Sequence, residues 1–188
     1  MSGTRRVPRG YATAAARAPH GVRGGQYVAV PQDEDVVVFV IGMRINRLRR
    51  VRSWWPSFVG MPRMLKELEA QPDSGLLGAT LLFGGRTLMV VQYWRSAEQL
   101  GAYARDTAKS HAPAWAAFNR AAAPTGDVGI FHETYVVPAD RIESLYGNMP
   151  AFGLGAAVGS VARGQQAPAR NTAHERMVST EPDYEEVS

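Results

Sequence analysis

The most restrictive feature of this sequence is an almost uninterrupted apolar run, VVVFVIGM, at residues 36–43. Both alternate sets of its side chains are apolar, which is typical of a strand that is covered on both faces. The strand is predicted to continue to about residue 46, and the acidic cluster at residues 33–35 marks the entry to the domain. A chain of 188 residues around such a strand has room for one domain with a real core and two tails.

The periodicity and the turn signals of the remaining sequence predict three more strands and three helices. Gly84 and Gly85 join two apolar stretches and indicate a hairpin. Ser96 and Ser110 each stand before a helical pattern, as N-cap residues do. The predicted elements are a helix at about 62–71 after a connection that ends with the Trp54-Trp55-Pro56 segment, strands at 76–83 and 86–94, helices after residue 96 and at 110–122, and a strand at 129–137.

The order β-α-β-β-α-β is the ferredoxin-like pattern, an α+β fold with an antiparallel four-stranded sheet and helices on one face. The face away from the helices is apolar as well, because neither alternate set of the first strand is polar. We therefore expect a face-to-face homodimer, a dimeric α/β barrel. The alternative is that residues 140–160 fold back and cover this face alone.

The charge of the chain is concentrated in its first part. Residues 1–30 contain five arginines and no acid, whereas residues 31–188 contain 16 basic and 17 acidic residues and so sum to −1. A nucleic-acid-binding domain would carry its basic surface on the fold itself. We predict a disordered basic tail at 1–32, a domain at 33–160 and a disordered acidic tail at 161–188. A targeting segment and an anion-binding arm are the alternatives for the basic tail.

The predicted domain boundaries lead to an expectation about truncation of the chain. Removal of residues 1–30 should leave the folded domain and its dimer intact, because the segment lacks hydrophobic periodicity. The sequence contains no apolar run of the length that spans a bilayer, which predicts a protein without a membrane span and with a cytoplasmic location.

The absence of cysteine excludes disulfides, cysteine-bound zinc and a thiol nucleophile. Phosphate-binding and dinucleotide-binding glycine motifs are missing, so nucleotide cofactors have no support. Five arginines between residues 44 and 52 stand next to Trp54 and Trp55. This combination suits single-stranded nucleic acid, but the mouth of a pocket or a solvated edge is the simpler interpretation, and we predict no nucleic-acid partner. Arg44 alternates with Val40, so it is a candidate for binding a substrate carboxylate or a heme propionate.

Two histidines of the domain are candidates for chemistry. His111 shares one face of the predicted last helix with Trp115, Phe118 and Asn119. Such a histidine is either a core residue or an axial ligand to heme iron, since apolar walls hold the macrocycle. His132 in the last strand is either an acid/base in a pocket or a strand residue bound to a neighbour.

Four segments together resemble a known family. They are Gln92-Tyr93-Trp94-Arg95-Ser96, the stretch from His111 to Asn119, the stretch from Gly129 to Tyr135, and Tyr146-Gly147-Asn148-Met149-Pro150. They are similar to a bacterial and fungal "monooxygenase family", also called DUF4188, within the antibiotic-biosynthesis-monooxygenase type of dimeric α+β barrel. The resemblance covers residues 34–160.

The resemblance implies a barrel dimer with a pocket between the sheet and the helices, and a role in secondary metabolism. The wider superfamily includes cofactor-free oxygenases, heme-degrading monooxygenases and heme aldoxime dehydratases. In the heme-degrading branch a helix carries the proximal histidine, at about the place of His111. Tyr103 falls near the pocket tryptophan of that branch.

Three functions therefore compete: a small-molecule monooxygenase that is cofactor-free or heme-assisted, a heme-binding lyase of the aldoxime-dehydratase type, and a non-catalytic ligand-binding dimer. In the first, His132 or His111 is the base and Asn119 or Asn148 stabilises an oxyanion. Trp94, Trp115 and Phe118 shape the site, and Tyr103 and Arg44 contribute to substrate binding. In the second, His111 binds the heme iron. The substrate is expected to be apolar and aromatic.

Overall fold

The structure is a computed structural model that describes residues 21–106, 118 and 123–164. In these residues the chain forms seven strands and three α-helices. They are β1 (Arg23–Ala29), β2 (Val36–Ile45), α1 (Val51–Glu69), β3 (Leu76–Gly84), β4 (Thr87–Trp94), α2 (Ala97–Arg105), β5 (Val128–Val137), β6 (Tyr146–Met149), α3 (Gly153–Ala157) and β7 (Ser160–Ala162). Of the predicted helix at 110–122, only Phe118 lies within the described residues, and it is helical.

The main sheet has the predicted antiparallel ferredoxin-like order, β3-β4-β2-β5. The apolar run forms β2 at its centre, where Phe39 lies opposite Gln92 of β4 and Thr134 of β5. The β3–β4 hairpin turns at Gly85, whose φ of 58° suits glycine. The side chain of Ser96 caps α2 by accepting a hydrogen bond from the Gln99 amide at 3.2 Å. The predicted α+β fold class is thus confirmed.

Helices α1 and α2 lie on one face of this sheet and form two separate core clusters with it. The first cluster centres on Met43, Ile45, Leu88 and Val128, against which Trp54 and Phe58 of α1 pack. The second joins Val37 and Trp94 of the sheet to Leu68 of α1 and Leu100 of α2. Because cross-strand partners share a face, this helix side carries the odd-numbered residues of β2.

Helix α1 begins at Val51, eleven residues before the predicted start. The interpretation of the Trp54-Trp55-Pro56 segment as the end of a connection is therefore wrong. Proline normally indicates a helix end because it lacks an N–H, but this helix contains both Pro56 and Pro62. Burial of the Trp54 and Phe58 rings, four positions apart on one helix face, outweighs the lost hydrogen bonds.

The other face of the sheet is partly covered by the chain itself. A second sheet of order β6-β1-β7, together with α3, lies over one end of this face, where Ala29, Val36 and Leu154 form a third core cluster. The alternative that residues 140–160 fold back is therefore correct for this end. The domain also extends beyond both predicted boundaries, because β1 lies in the expected basic tail and β7 reaches residue 162.

One ion pair anchors the entry to β5. Asp127 is 4% exposed, and its carboxylate accepts a hydrogen bond from the Arg47 guanidinium at 2.9 Å. Burial alone would raise the pKa of this carboxyl, but hydrogen bonds, above all the one from Arg47, hold the pKa below its ordinary value. At least this member of the arginine-rich segment therefore has a structural role. Within the described residues, no helix has the length and apolar character that crossing a bilayer requires.

Gly42 in the central strand β2 has no room for a side chain. A Cβ at this position would lie 2.5 Å from ring atoms of Phe131 and 2.8 Å from the Leu88 carbonyl oxygen. The carbonyl belongs to a neighbouring strand and cannot move aside. We expect Gly42→Ala to lower the free energy of unfolding by about 1–3 kcal/mol in urea titrations.

The matched control for this substitution is Gly84→Ala at the end of β3, where a Cβ would meet no atom within 4 Å. Its unfolding midpoint should stay close to that of the wild type. Equal losses in the two variants would contradict the close contact at Gly42.

Candidate functional site

The residues predicted for the site divide into three groups in the structure. His132, Trp94, Tyr103 and Phe118 all belong to the helix side of the sheet. Arg44 and Asn148 lie elsewhere. His111, Trp115 and Asn119 lie outside the described residues, so their roles remain predictions.

Between its two core clusters, the helix side of the sheet carries a more exposed section around the buried Val90. We call this section the central section, and we include in it five side chains on adjacent strands: Phe39, which also packs against the second cluster, Ile41, Gln92, His132 and Thr134. The first three are only half-buried and the last two are exposed, whereas Val37 and Met43 at the two ends of the same strand are 2% and 1% exposed. In the central section, apolar and polar side chains therefore lie side by side, and the described helices leave His132 and Thr134 exposed.

His132 is the only titratable side chain of the central section. It lies opposite Ile41 in the register, and its ring centroid is 5.9 Å from that of Phe39 with the planes tilted by 40°. The neighbouring Glu133 lies on the other face of the sheet, where its carboxylate accepts a hydrogen bond from the Tyr135 hydroxyl at 2.6 Å. An exposed imidazole against an aromatic ring is available for proton transfer to a bound molecule.

Trp94 and Tyr103 form the buried border of the central section. Trp94 is 0% exposed, its ring lies 5.6 Å from that of Tyr103, and its indole N–H donates to the Gln92 side-chain oxygen at 2.9 Å. Burial, together with the nearby Glu67 and Asp106, raises the pKa of Tyr103, so this hydroxyl keeps its proton. The pair thus orients Gln92 in the central section.

The two other predicted binding residues do not join this group. Arg44 lies on the opposite face of the sheet, exposed, between Thr87 and Gly129. Asn148 has a left-handed φ of 52°, and its side-chain oxygen accepts a hydrogen bond from the Gly25 amide at 3.0 Å. Asn148 therefore links β6 to β1, and its geometry is that of a residue that holds the small sheet together.

Several members of the central section were not singled out from the sequence. Gln92 and Thr134 look like ordinary alternating strand residues, and only the register places them beside Phe39. The signal that was available is the presence of polar residues on the helix side of β4 and β5, in rows that are otherwise apolar.

No group of three metal-binding side chains occurs within the described residues, and His132 is the one histidine among them. The heme hypothesis depends on His111, whose surroundings lie outside the described residues. Heme therefore remains a prediction.

Comparison with known families assigns this chain to one of them. The protein is an α+β protein with a ferredoxin-like sheet, and His132 is exposed on the helix side of this sheet. The sequence profile of the family "Monooxygenase af470-like" matches residues 36–154, from the start of β2 to the beginning of α3. The chain belongs to this family, which confirms the resemblance to monooxygenases. A comparison with curated proteins found no match.

Solved structures with a related fold include an aldoxime dehydratase (OxdRE) in complex with butyraldoxime. It is 19% identical with a TM-score of 0.51, and the match covers 73% of this chain but only 38% of the dehydratase. The likeness shows the fold alone. A weaker match is a conserved protein of unknown function from Bacteroides thetaiotaomicron, with 14% identity and a TM-score of 0.37 over 55% of this chain and 98% of that one. Another is a protein from Chloroflexus aurantiacus that is proposed to be an antibiotic biosynthesis monooxygenase, with 16% identity and a TM-score of 0.33 over 54% of this chain and 91% of that one.

Proposed function

We propose that this chain is a small-molecule monooxygenase that binds an apolar, aromatic substrate at the central section of the sheet. The observation that carries the proposal is the place of His132, an exposed base on the helix side of the sheet, beside the half-buried Phe39 and Ile41. Membership of a family of monooxygenases supports the type of reaction. The apolar side chains of Phe39 and Ile41 favour a flat, hydrophobic substrate over a charged one.

The reaction that suits these groups is oxygenation of an activated CH₂ or phenol. His132 takes a proton from the substrate, and the resulting carbanion gives one electron to O₂. Recombination of the two radicals forms a carbon–oxygen bond, and loss of water from the hydroperoxide leaves a carbonyl. One CH₂ and one O₂ thus become one C=O and one water. Among the described residues, Gln92 is the amide of the central section and stabilises the developing oxyanion in this scheme, in place of the more distant Asn148, while Asn119 remains a further candidate.

The test of the proposal is the activity of His132→Ala. We expect a loss of at least about 100-fold in substrate-dependent O₂ uptake with a panel of phenols and enols, because general base catalysis typically contributes 10²–10⁴-fold. The melting temperature should change little, since His132 is exposed. The matched control is Glu133→Gln, which changes the adjacent residue on the other face and keeps an acceptor for Tyr135.

His111→Ala discriminates between the two candidate bases. If this variant loses O₂ uptake while His132→Ala keeps it, the base lies on the helix and the assignment of His132 is wrong. A Soret band after expression with heme, lost in His111→Ala, would identify the heme-assisted form of the enzyme.

We also propose that the enzyme is a homodimer through the face of the sheet away from the helices. Beyond the end that β1, β6, β7 and α3 cover, this face presents half-buried apolar side chains. They are Val40, Leu82, Met89, Val91 and Phe131, with Thr80 and Glu133 at the two ends of the Val91–Val40 row. An apolar surface of this kind normally lies against a partner, and a second copy offers a surface of matching character.

Sedimentation at micromolar concentration should therefore show a species near twice 20.5 kDa. Val91→Glu, which places a charge at the centre of the surface, is expected to shift the protein to the monomer. Val59→Glu, at a position of α1 that is 46% exposed, is the control and should remain dimeric. A monomeric wild type would contradict the proposal.

A further inference from the structure

A cavity of about 400 Å³ lies on the opposite face of the sheet from the central section. The main sheet forms its floor with Val36 and Val38, and the segment after β5, together with β6 and α3, forms its walls. Val36 and Leu154 in its lining are 2% and 8% exposed. We call it the tyrosine cavity, because Tyr93 of β4 and Tyr146 of β6 both line it.

Two hydroxyl groups of the tyrosine cavity accept hydrogen bonds from the backbone. The Tyr146 oxygen accepts from the Gly155 amide at 2.9 Å, and the Ser144 oxygen accepts from the Ala29 amide at 2.8 Å. A third hydroxyl, that of Tyr93, lies beside the same segment, at the start of α3. A hydroxyl oxygen that accepts still has its own O–H to donate. Among the described residues, none of these three O–H groups has an acceptor.

The two phenol oxygens flank the same glycine. A Cβ on Gly153 would lie 3.3 Å from the Tyr93 oxygen and 4.0 Å from the Tyr146 oxygen. Gly155 is equally constrained, because a Cβ there would lie 2.7 Å from the Tyr146 ring. The two glycines therefore let the start of α3 approach both phenols closely. Burial and the neighbouring Tyr146 raise the pKa of Tyr93, so its hydroxyl stays protonated and remains a donor.

The charges around the cavity balance. Arg141 and Glu143 both belong to its lining and both are exposed. Apolar walls, donor hydroxyls and no net charge together suit a neutral molecule that supplies a hydrogen-bond acceptor. A carbonyl oxygen has two lone pairs and is able to accept from two phenols at once.

We propose that the tyrosine cavity is a second binding site that holds a neutral, apolar ketone or ester, whose carbonyl oxygen accepts hydrogen bonds from the hydroxyls of Tyr93 and Tyr146. The site is independent of the monooxygenase reaction, because it lies on the other face of the sheet from His132.

Equilibrium dialysis of the full chain tests this site with two probes of the same shape. 2-Acetylnaphthalene has the carbonyl, and 2-isopropenylnaphthalene carries a C=CH₂ group in its place. The wild type should bind the ketone more tightly than the hydrocarbon. Tyr93→Phe should weaken binding of the ketone about three- to tenfold, the equivalent of one hydrogen bond, and leave binding of the hydrocarbon unchanged. Tyr135→Phe, the same substitution at a tyrosine that is 51% exposed, is the matched control and should bind both probes normally.

Leu145→Trp is a second test variant, which leaves Tyr93 and Tyr146 unchanged. Leu145 lines the cavity and is 53% exposed, so a larger side chain there narrows the entrance without entering the core. We expect it to lose binding of both probes. Equal affinity of the wild type for the two probes would overturn the proposal. So would ketone binding that survives in Leu145→Trp, or that disappears in His132→Ala, since the ketone would then occupy the central section.

Discussion

Trp94→Ala is expected to lower the free energy of unfolding by about 3–5 kcal/mol, the usual cost of removing a large aromatic side chain from a core. Trp94 is 0% exposed and belongs to the core cluster that joins α1 and α2 to the sheet. Its loss also leaves the Gln92 side-chain oxygen without its donor. Chemical denaturation at 25 °C measures the loss.

The control for this substitution is Trp94→Phe, which keeps most of the apolar volume and loses the indole N–H. It should cost clearly less than the alanine variant, because the cavity that remains is smaller. A loss below about 1 kcal/mol for Trp94→Ala would mean that Trp94 lines open space rather than core.

Deletion of residues 1–30 is the second change with a large expected effect. It removes β1, the central strand of the small sheet, so that β6 and β7 both lose their partner. Ala29, 6% exposed in the third core cluster, is lost as well. We expect a loss of at least about 3 kcal/mol, which corresponds to roughly 6–12 °C in melting temperature for a chain of this size.

Deletion of residues 1–20 is the matched control, because it leaves β1 complete. Its melting temperature should stay close to that of the full chain. If both deletions leave the melting temperature unchanged, the expectation from the sequence is right and β1 contributes nothing to stability.

The sequence was sufficient to predict the main sheet and insufficient to predict the small one. The four strands of the main sheet carry apolar runs and are separated by local turn signals, so the pattern of each strand is visible by itself. Strand β1 has two glycines and little periodicity, and its partners lie more than 100 residues away in the chain. Its pairing is a long-range property that no local window contains. The start of α1 was missed because Pro56 gave a stronger local signal than the ring spacing.

The candidate site, like the fold, was only partly predictable from the sequence. His132 could be named from the sequence because few histidines lie in the domain. Its neighbours could not, because only the register of β2 with β4 and β5 places Phe39, Gln92 and Thr134 beside it. The tyrosine cavity was equally invisible, since Tyr93 stands next to a buried tryptophan and looks like another core aromatic. Only the fold brings it to Tyr146 and α3.

Labelling with ¹⁸O₂ tests the proposed function most directly. The purified protein is incubated with a panel of phenols and enols under ¹⁸O₂, and the products are analysed by mass spectrometry. The proposed reaction predicts a product that contains one ¹⁸O atom per turnover, with the second atom released as water, and a rate that falls at least about 100-fold in His132→Ala. A labelled product that forms at the same rate in His132→Ala, or no O₂-dependent product from any member of the panel, would contradict it.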